Sequence, residues 1–362
     1  MSSGHNPKAR LGQTLQEATE SSANFSIANG PALPAVNFAA VGRPAPALLA
    51  TPAGKLPKAS AVVITWASAE WAALHHVFCA GNVAMPYSDR AQGSWPGWEK
   101  YSSGLPAGAP SSWSYWGYYR LVQIGGNPVL LFKSNTHLDW PGATYLKALI
   151  DLLIKEVSPK LILSVGTAGG AKPSDHVGTV RVVSAGTLYE SGQPQSSWPE
   201  YQNAWKGSNT LLANASFNKL LFPVPTNPND LQKLCSQFNA QYHTPYTLAE
   251  LDPGGLALAN PSPQIDNQSG GGSSLLTAST FVVGTTSGTY QSFACIEMDD
   301  AVIGEACAAS HTAYGFVRNL SDPAQSAALP AKVQGNWGSA VYDAYGLYTS
   351  YNGAVAAWAM LA

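Results

Sequence analysis

The stretch Ile296–Asp322, IEMDDAVIGEACAASHTAYGFVRNLSD, sets a cluster of acids (Glu297, Asp299 and Asp300) before a run of small residues. An apolar run follows, and then Arg318, Ser321 and Asp322. Only 11% of the 362 residues are charged, against about 25% in an average domain, so such a concentration calls for a reason. Glu70, in TWASAE, and Thr167, in GTAGG, add an acid and a hydroxyl at two other points of the chain. Two acids on opposite sides of a scissile bond can divide the labour: one protonates the leaving group, the other activates water or steadies a cation. Each residue also has a plainer role open to it. Asp299 and Asp300 suit the cap of a helix, Asp322 before Pro323 suits the start of a turn, and Glu70 suits a first helical turn. GTAGG suits a tight strand-to-helix turn, and Arg318 suits charge neutralisation. The joint pattern, with acids after several apolar runs, favours chemistry.

What must position these residues is an alternation of strands and helices. AVVITW reads as a buried strand, followed by a helix from about Ser68 to Phe78. YYRLVQIGGNPVLLFKS reads as two strands around a turn, and Leu146, Leu149, Ile150, Leu153 and Ile154 recur at helical spacing. KLILSV, VGTVRVVSAG, SLLTASTFVVG, FACIEM and AYGFVRNL are further strands, with a helix after Asp299 between the last two. The C-terminal stretch predicts one long helix with a weak spot at Gly353. The alternation implies an α/β fold with a mixed, largely parallel central sheet flanked by helices. Ligands in such folds sit beyond the carboxyl ends of the strands. Neighbouring strands would therefore bring Glu70, Thr167, Glu297, Asp299 and Asp322 to one cleft.

Residues 1–58, rich in Ala and Pro, read as an extended arm free to wrap over the body or a second subunit. Residues 59–362 read as a single catalytic domain, interrupted by insertions at about 81–117 and 190–272. The aromatic residues of the first insertion could form a lid or a subunit contact, and structural packing is the favoured reading. The net charge of −2 and the lack of a basic block argue against a nucleic-acid partner. No apolar run approaches the roughly 20 residues that span a bilayer, and the N-terminus lacks the apolar core of a signal peptide. A cytoplasmic chain with four unpaired cysteines is the expectation. No HExxH, paired CxxC, nucleophile elbow, phosphate loop or GxGxxG is present, so neither metal nor cofactor is expected. His137 and Asp139, in SNTHLDWPG, follow the strand VLLFKS and could edge the cleft; a solvated loop, with Asp139 capping the next helix, is the favoured reading.

The pieces VVITWASAEWAAL, LLFKS, LILSVGTAGGAKPSDHVGTVRVVS, STFV, IEMDDAVIGEAC and VRNLSDPA occur in the order seen in a known family. The chain resembles the nucleoside phosphorylase/nucleosidase superfamily, and most closely its 5′-methylthioadenosine/S-adenosylhomocysteine nucleosidase branch. The likeness spans most of residues 61–324. It implies that Asp322 protonates N7 of a purine, with Ser321 holding it, and that Glu70 orients or deprotonates the water attacking C1′. It implies that Met298 and Asp299 line the ribose, that Phe281 stacks on the base and that the Val282 backbone meets the base edge. Thr167 would lie near the attacking water, Gly166 would help bind the substrate, and Arg318 and Glu297 would order the carboxylates. A homo-oligomer, a dimer or larger, is a further implication, with a small-molecule nucleoside as the partner.

Two departures bear on the reaction. The family's ribose-binding acid is usually Glu, and here it is Asp299. Ser164 stands where purine phosphorylases keep a phosphate-binding Arg, and the first strand lacks their Gly-Asp-Pro start. Without those cations a phosphate nucleophile is poorly held, so hydrolysis is expected. The alternatives are a phosphate-dependent purine nucleoside phosphorylase, a binding or storage protein that has lost catalysis, and a nucleosidase specialised for secondary metabolism or defence.

Overall fold

The computed structural model describes residues 31–80, 96–111, 113–138, 140–190, 192–207, 215–224, 228–252, 262–278, 288–324 and 326–362. Its strands are β1 (Ala47–Leu48), β2 (Ala61–Thr65), β3 (Glu99–Tyr101), β4 (Gly117–Ile124), β5 (Asn127–Ser134), β6 (Leu161–Gly169) and β7 (Val180–Val183). They continue with β8 (Ala185–Leu188), β9 (Glu200–Gln202), β10 (Ile265–Asn267), β11 (Leu275–Thr277), β12 (Ile296–Glu297) and β13 (Ala313–Asp322). The longer helices are α1 (Ser68–His75), α2 (Ala143–Val157), α3 (Pro228–Tyr242), α4 (Asp300–Ala309) and α5 (Ala331–Leu361).

These strands form one mixed sheet in the order β1-β4-β5-β2-β6-β12-β11-β8-β9. β2 lies parallel to both β5 and β6, and β13 runs parallel along the whole of β6. β13 also pairs with β7, antiparallel. Helices cover both faces, and the central strands bury alternate residues in two layers. Val62, Ile64, Ile162 and Phe316 pack with α2 and α4. Val63, Leu163, Val165 and Val317 pack with α1 and α5. Burial on both faces explains why the central strands are near-continuous apolar runs, each enclosed aliphatic contributing about 1.5–3 kcal/mol. The fold class is the expected α/β arrangement.

Three local expectations need correction. GTAGG is not a strand-to-helix turn: β6 continues through Gly169, because β13 pairs with it to that point. VGTVRVVSAG is two strands rather than one, divided at Ser184. Gly353 is no weak spot either. α5 is continuous there, and a Cβ on Gly353 would collide with the Asn319 side chain of β13. Glycine lets the helix lie directly on the strand.

The segment before β2 lies along the body. Tyr348 donates its hydroxyl to the Pro31 carbonyl at 3.0 Å, the Phe38 ring meets Trp358 edge-on at 4.7 Å, and β1 pairs with β4. Within the first expected insertion Trp98, Trp113 and Trp116 are buried, so these aromatics are core. Among the described residues no helix is long and apolar enough to cross a membrane, and the four cysteines are free thiols.

Candidate active site

The site begins with a split in the sheet. Along one edge β6 pairs with β2 as far as Ser164, and with β12 only at Gly169. β2 ends at Thr65 and the chain turns into α1, so β6 is left open in between. A cavity occupies this region, lined by Trp66, Ala67, Glu70, Thr167, Ala168, Ile296, Glu297, Met298, Asp299 and Arg318.

Glu70 fills the open edge. Its Oε1 accepts the Thr167 amide at 2.7 Å and the Thr167 hydroxyl at 2.8 Å. Its Oε2 accepts from the Thr65 hydroxyl (2.9 Å) and from the amides of Trp66 (2.9 Å) and Ala67 (2.8 Å). The last two amides belong to the turn into α1, where a helix offers N–H groups without internal partners. Burial pushes the Glu70 carboxyl up, but the Thr167, Trp66 and Ala67 amides and the Arg318 charge prevail and hold it below its ordinary value. Glu70 is therefore a buried, ionised carboxylate. Gly166 is a glycine for a related reason: a Cβ there would collide with the Arg318 guanidinium and lie 3.2 Å from Glu70 Oε1.

The opposite wall comes from β12 and the start of α4. Arg318, on β13, donates through Nε to Asp300 Oδ2 at 2.8 Å, and its Nη2 also bonds Asp300 Oδ1. The same Nη2 reaches the Ser164 hydroxyl at 2.7 Å and lies 3.3 Å from Glu297 Oε2. The guanidinium stacks over the Trp66 ring, 5.3 Å from its centroid. Glu297 Oε2 accepts the amides of Asp299 (2.6 Å) and Asp300 (3.0 Å), and its Oε1 accepts the Thr277 hydroxyl. Thr277 Oγ1 in turn accepts the Ala301 amide at 3.1 Å. The α4 N-terminus is thus capped by Glu297 and Thr277, and Asp299 makes no side-chain cap. Instead Asp299 Oδ1 accepts the Leu138 amide at 2.9 Å, and Oδ2 lies 3.2 Å from His137 Nδ1. Burial pushes Asp299 up to about 7, against the pull of the Leu138 amide and Arg318. Burial and the neighbouring Asp300 also raise Glu297.

Asp322 and Ser321 end β13 and are buried, and neither is among the cavity-lining residues. The β13–β6 register slips there: Leu320 pairs with Ala168 and Asp322 with Gly169, leaving Ser321 as the extra residue of a bulge. Such a bulge re-aims the side chain that follows. The Ser321 hydroxyl donates to Asp322 Oδ1 at 2.8 Å. Ala168, its strand neighbour's partner, is a cavity residue, so Asp322 stands next to the wall rather than in it. Phe281 and Val282 lie outside the described residues, as does Asp139.

Of the expected residues, the structure brings Glu70, Thr167, Glu297, Met298, Asp299 and Arg318 to one cavity, with Gly166 behind them. Sequence reasoning missed Thr65, Thr277 and the partnership of Ser164 with Asp300, joined at 2.6 Å. Each is a polar residue in an otherwise buried strand or helix start, a pattern too common to single any of them out before the strands are set side by side. Sequence reasoning also favoured a solvated loop for His137 over the cleft edge; His137 is 1% exposed and faces Asp299, a cavity residue.

The sequence matches the phosphorylase superfamily over residues 106–344. No curated protein sequence matches it. Among solved structures, it is similar to 5′-methylthioadenosine/S-adenosylhomocysteine nucleosidase from Helicobacter pylori, at 9% identity and a TM-score of 0.46, covering 84% of this chain and 98% of that one. It is similar to futalosine hydrolase of Helicobacter pylori at 10% identity and a TM-score of 0.45, covering 83% and 95%. The nucleosidase from Neisseria meningitidis gives 12% identity and a TM-score of 0.42, covering 83% and 96%.

Proposed function

The chain belongs to the phosphorylase superfamily, and we propose that it hydrolyses the N-glycosidic bond of a purine nucleoside or a 5′-substituted adenosine. The products are the free base and the sugar moiety. Asp322 donates a proton to N7 as the bond to C1′ breaks and its electron pair passes to the base. Water then attacks C1′, where oxocarbenium character has developed, and the proton it loses on forming the new C–O bond passes by way of Glu70 to solvent. A positioned acid of this kind contributes about 10²–10⁴-fold, or roughly 3–5 kcal/mol.

The observation that carries this reading is the ionised Glu70 carboxylate, fixed by five donors in the cavity wall. A carboxylate held below its ordinary pKa is a weak base but a strong electrostatic partner for a cation. An oxocarbenium ion needs only a weak base to help its water, so Glu70 orients the nucleophile and stabilises the positive sugar. Asp299 and Met298 line the sugar.

Water is favoured over phosphate by the charge of the site. Glu70, Glu297, Asp299 and Asp300 surround Arg318, which is already bound to Asp300 and Ser164. Lys133 adds a second buried cation, its ammonium lowered to about 8 by burial and raised in part by Glu70. A phosphate dianion would have to draw Arg318, the guanidinium lining the cavity, out of its buried pairing with Asp300 and Ser164. Incubation with adenosine, guanosine, inosine and 5′-methylthioadenosine, with and without phosphate, tests the proposal. Base release without phosphate is the expected result; release that strictly requires phosphate overturns it.

A further inference from the structure

We propose that His137 is a positioning residue that holds Asp299 against the sugar hydroxyls, and so helps to set which sugar the site accepts. The inference rests on the nucleoside-cleaving reading above. It starts from where the Asp299 carboxylate is gripped. Although Asp299 immediately precedes α4, its side chain turns away from the helix amides. Both its oxygens are instead met by the loop after β5: Oδ1 by the Leu138 amide at 2.9 Å, Oδ2 by His137 Nδ1 at 3.2 Å.

That loop is well braced. The His137 amide donates to the Trp140 carbonyl at 2.7 Å, and the Gly142 amide donates back to the His137 carbonyl at 3.2 Å. The Thr136 carbonyl accepts from Trp66 Nε1 at 2.9 Å and from the Ser134 hydroxyl at 2.8 Å. The imidazole sits 6.1 Å from the ring of Trp66, itself a cavity wall. His137 is therefore fixed between the wall and the carboxylate it contacts. Each carboxylate oxygen has capacity for more than one donor. With one position on each oxygen taken from the loop side, those toward the cavity are left for the hydroxyls of a sugar. An aspartate, one methylene shorter than a glutamate, gains in this way an orientation that its own backbone does not give it.

Steady-state kinetics of His137→Ala and His137→Asn with ribo-, 2′-deoxyribo- and 3′-deoxyribonucleosides of one purine test this. The Asn amide nitrogen can stand where imidazole Nδ1 stands. His137→Ala is expected to raise KM for the ribonucleoside roughly 10-fold, the loss of one charge-assisted hydrogen bond, with kcat changed by less than about threefold. It should also compress the preference between ribo- and deoxyribonucleosides by a similar factor, and His137→Asn should restore both. Wild-type KM and sugar preference in the Ala variant overturn the inference. So does equal impairment of both variants on every sugar, which is the mark of a loop that has lost its shape. Hydrolysis by the wild type tests the functional reading separately. If the wild type binds nucleosides without cleaving them, that reading falls, and the same Ala-to-Asn contrast in calorimetric Kd decides this one. If it binds none, both fall.

Discussion

The wall built by β2 and α1 and the wall built by β12 and α4 present buried carboxylates to the same cavity, and they treat them oppositely. Glu70 is surrounded by donors from two strands and a helix start, and is held ionised. Asp299 meets one amide and one imidazole, has other acids close by, and is pushed up to about 7. Both are buried, so burial alone does not set the charge state. The supply of donors does. A site with one acid fixed as a carboxylate and others near neutrality can accommodate a developing cation without expelling its own walls by like-charge repulsion.

The contrast depends most on Arg318, the guanidinium shared by both sides. Arg318→Met should leave Asp300 buried without its ion-pair partner, costing about 3–5 kcal/mol of stability. Denaturant unfolding at pH 7 checks this, and a loss of under about 1 kcal/mol would show that Asp300 is satisfied elsewhere.

The next effect is one of sign. Asp299 has a folded pKa of about 7 against an ordinary value of 3.8. Between these two values the folded chain holds the proton more firmly than the unfolded one, so this group's contribution to stability falls as pH rises. Glu70 works the other way: its contribution is fully present above the ordinary value of 4.5 and is lost as pH falls through its lowered folded value. Asp299→Asn should therefore flatten the decline in Tm between about pH 4 and pH 7. An unchanged decline would place the raised group elsewhere.

The smallest expected effect tests the cradle itself. Thr167→Val removes the hydroxyl at 2.8 Å from Glu70 and keeps the amide at 2.7 Å. Turnover should fall roughly 3- to 10-fold, the worth of one hydrogen bond. Wild-type turnover would mean that the amides suffice.

The order of strands and helices was legible because the apolar runs are buried on both faces, and because α2 carries its core residues at helical spacing. The candidate acids were legible because charge is scarce in this chain. The donors around them were not, since a threonine at the end of a strand looks like any other. Thr65 and Thr277 become informative only when β2, β6, β11 and β12 are set side by side. The bulge at Ser321 was equally hidden, being a property of the β6–β13 register rather than of any residue. Gly353 misled because helix propensity counts against glycine, whereas here the close approach of Asn319 requires it. His137 misled because the polar run Ser134–Thr136 before it reads as exposed, and only the fold reveals the carboxylate opposite.

The central claim is that an acid at position 322 and a carboxylate at position 70 act on one glycosidic bond. Phosphate-free release of purine base by wild type, Asp322→Asn and Glu70→Gln, each shown to be folded by circular dichroism, tests it most directly. Either substitution is expected to lower turnover by roughly 100-fold or more, about 2.7 kcal/mol of barrier. Full activity in either variant would contradict it.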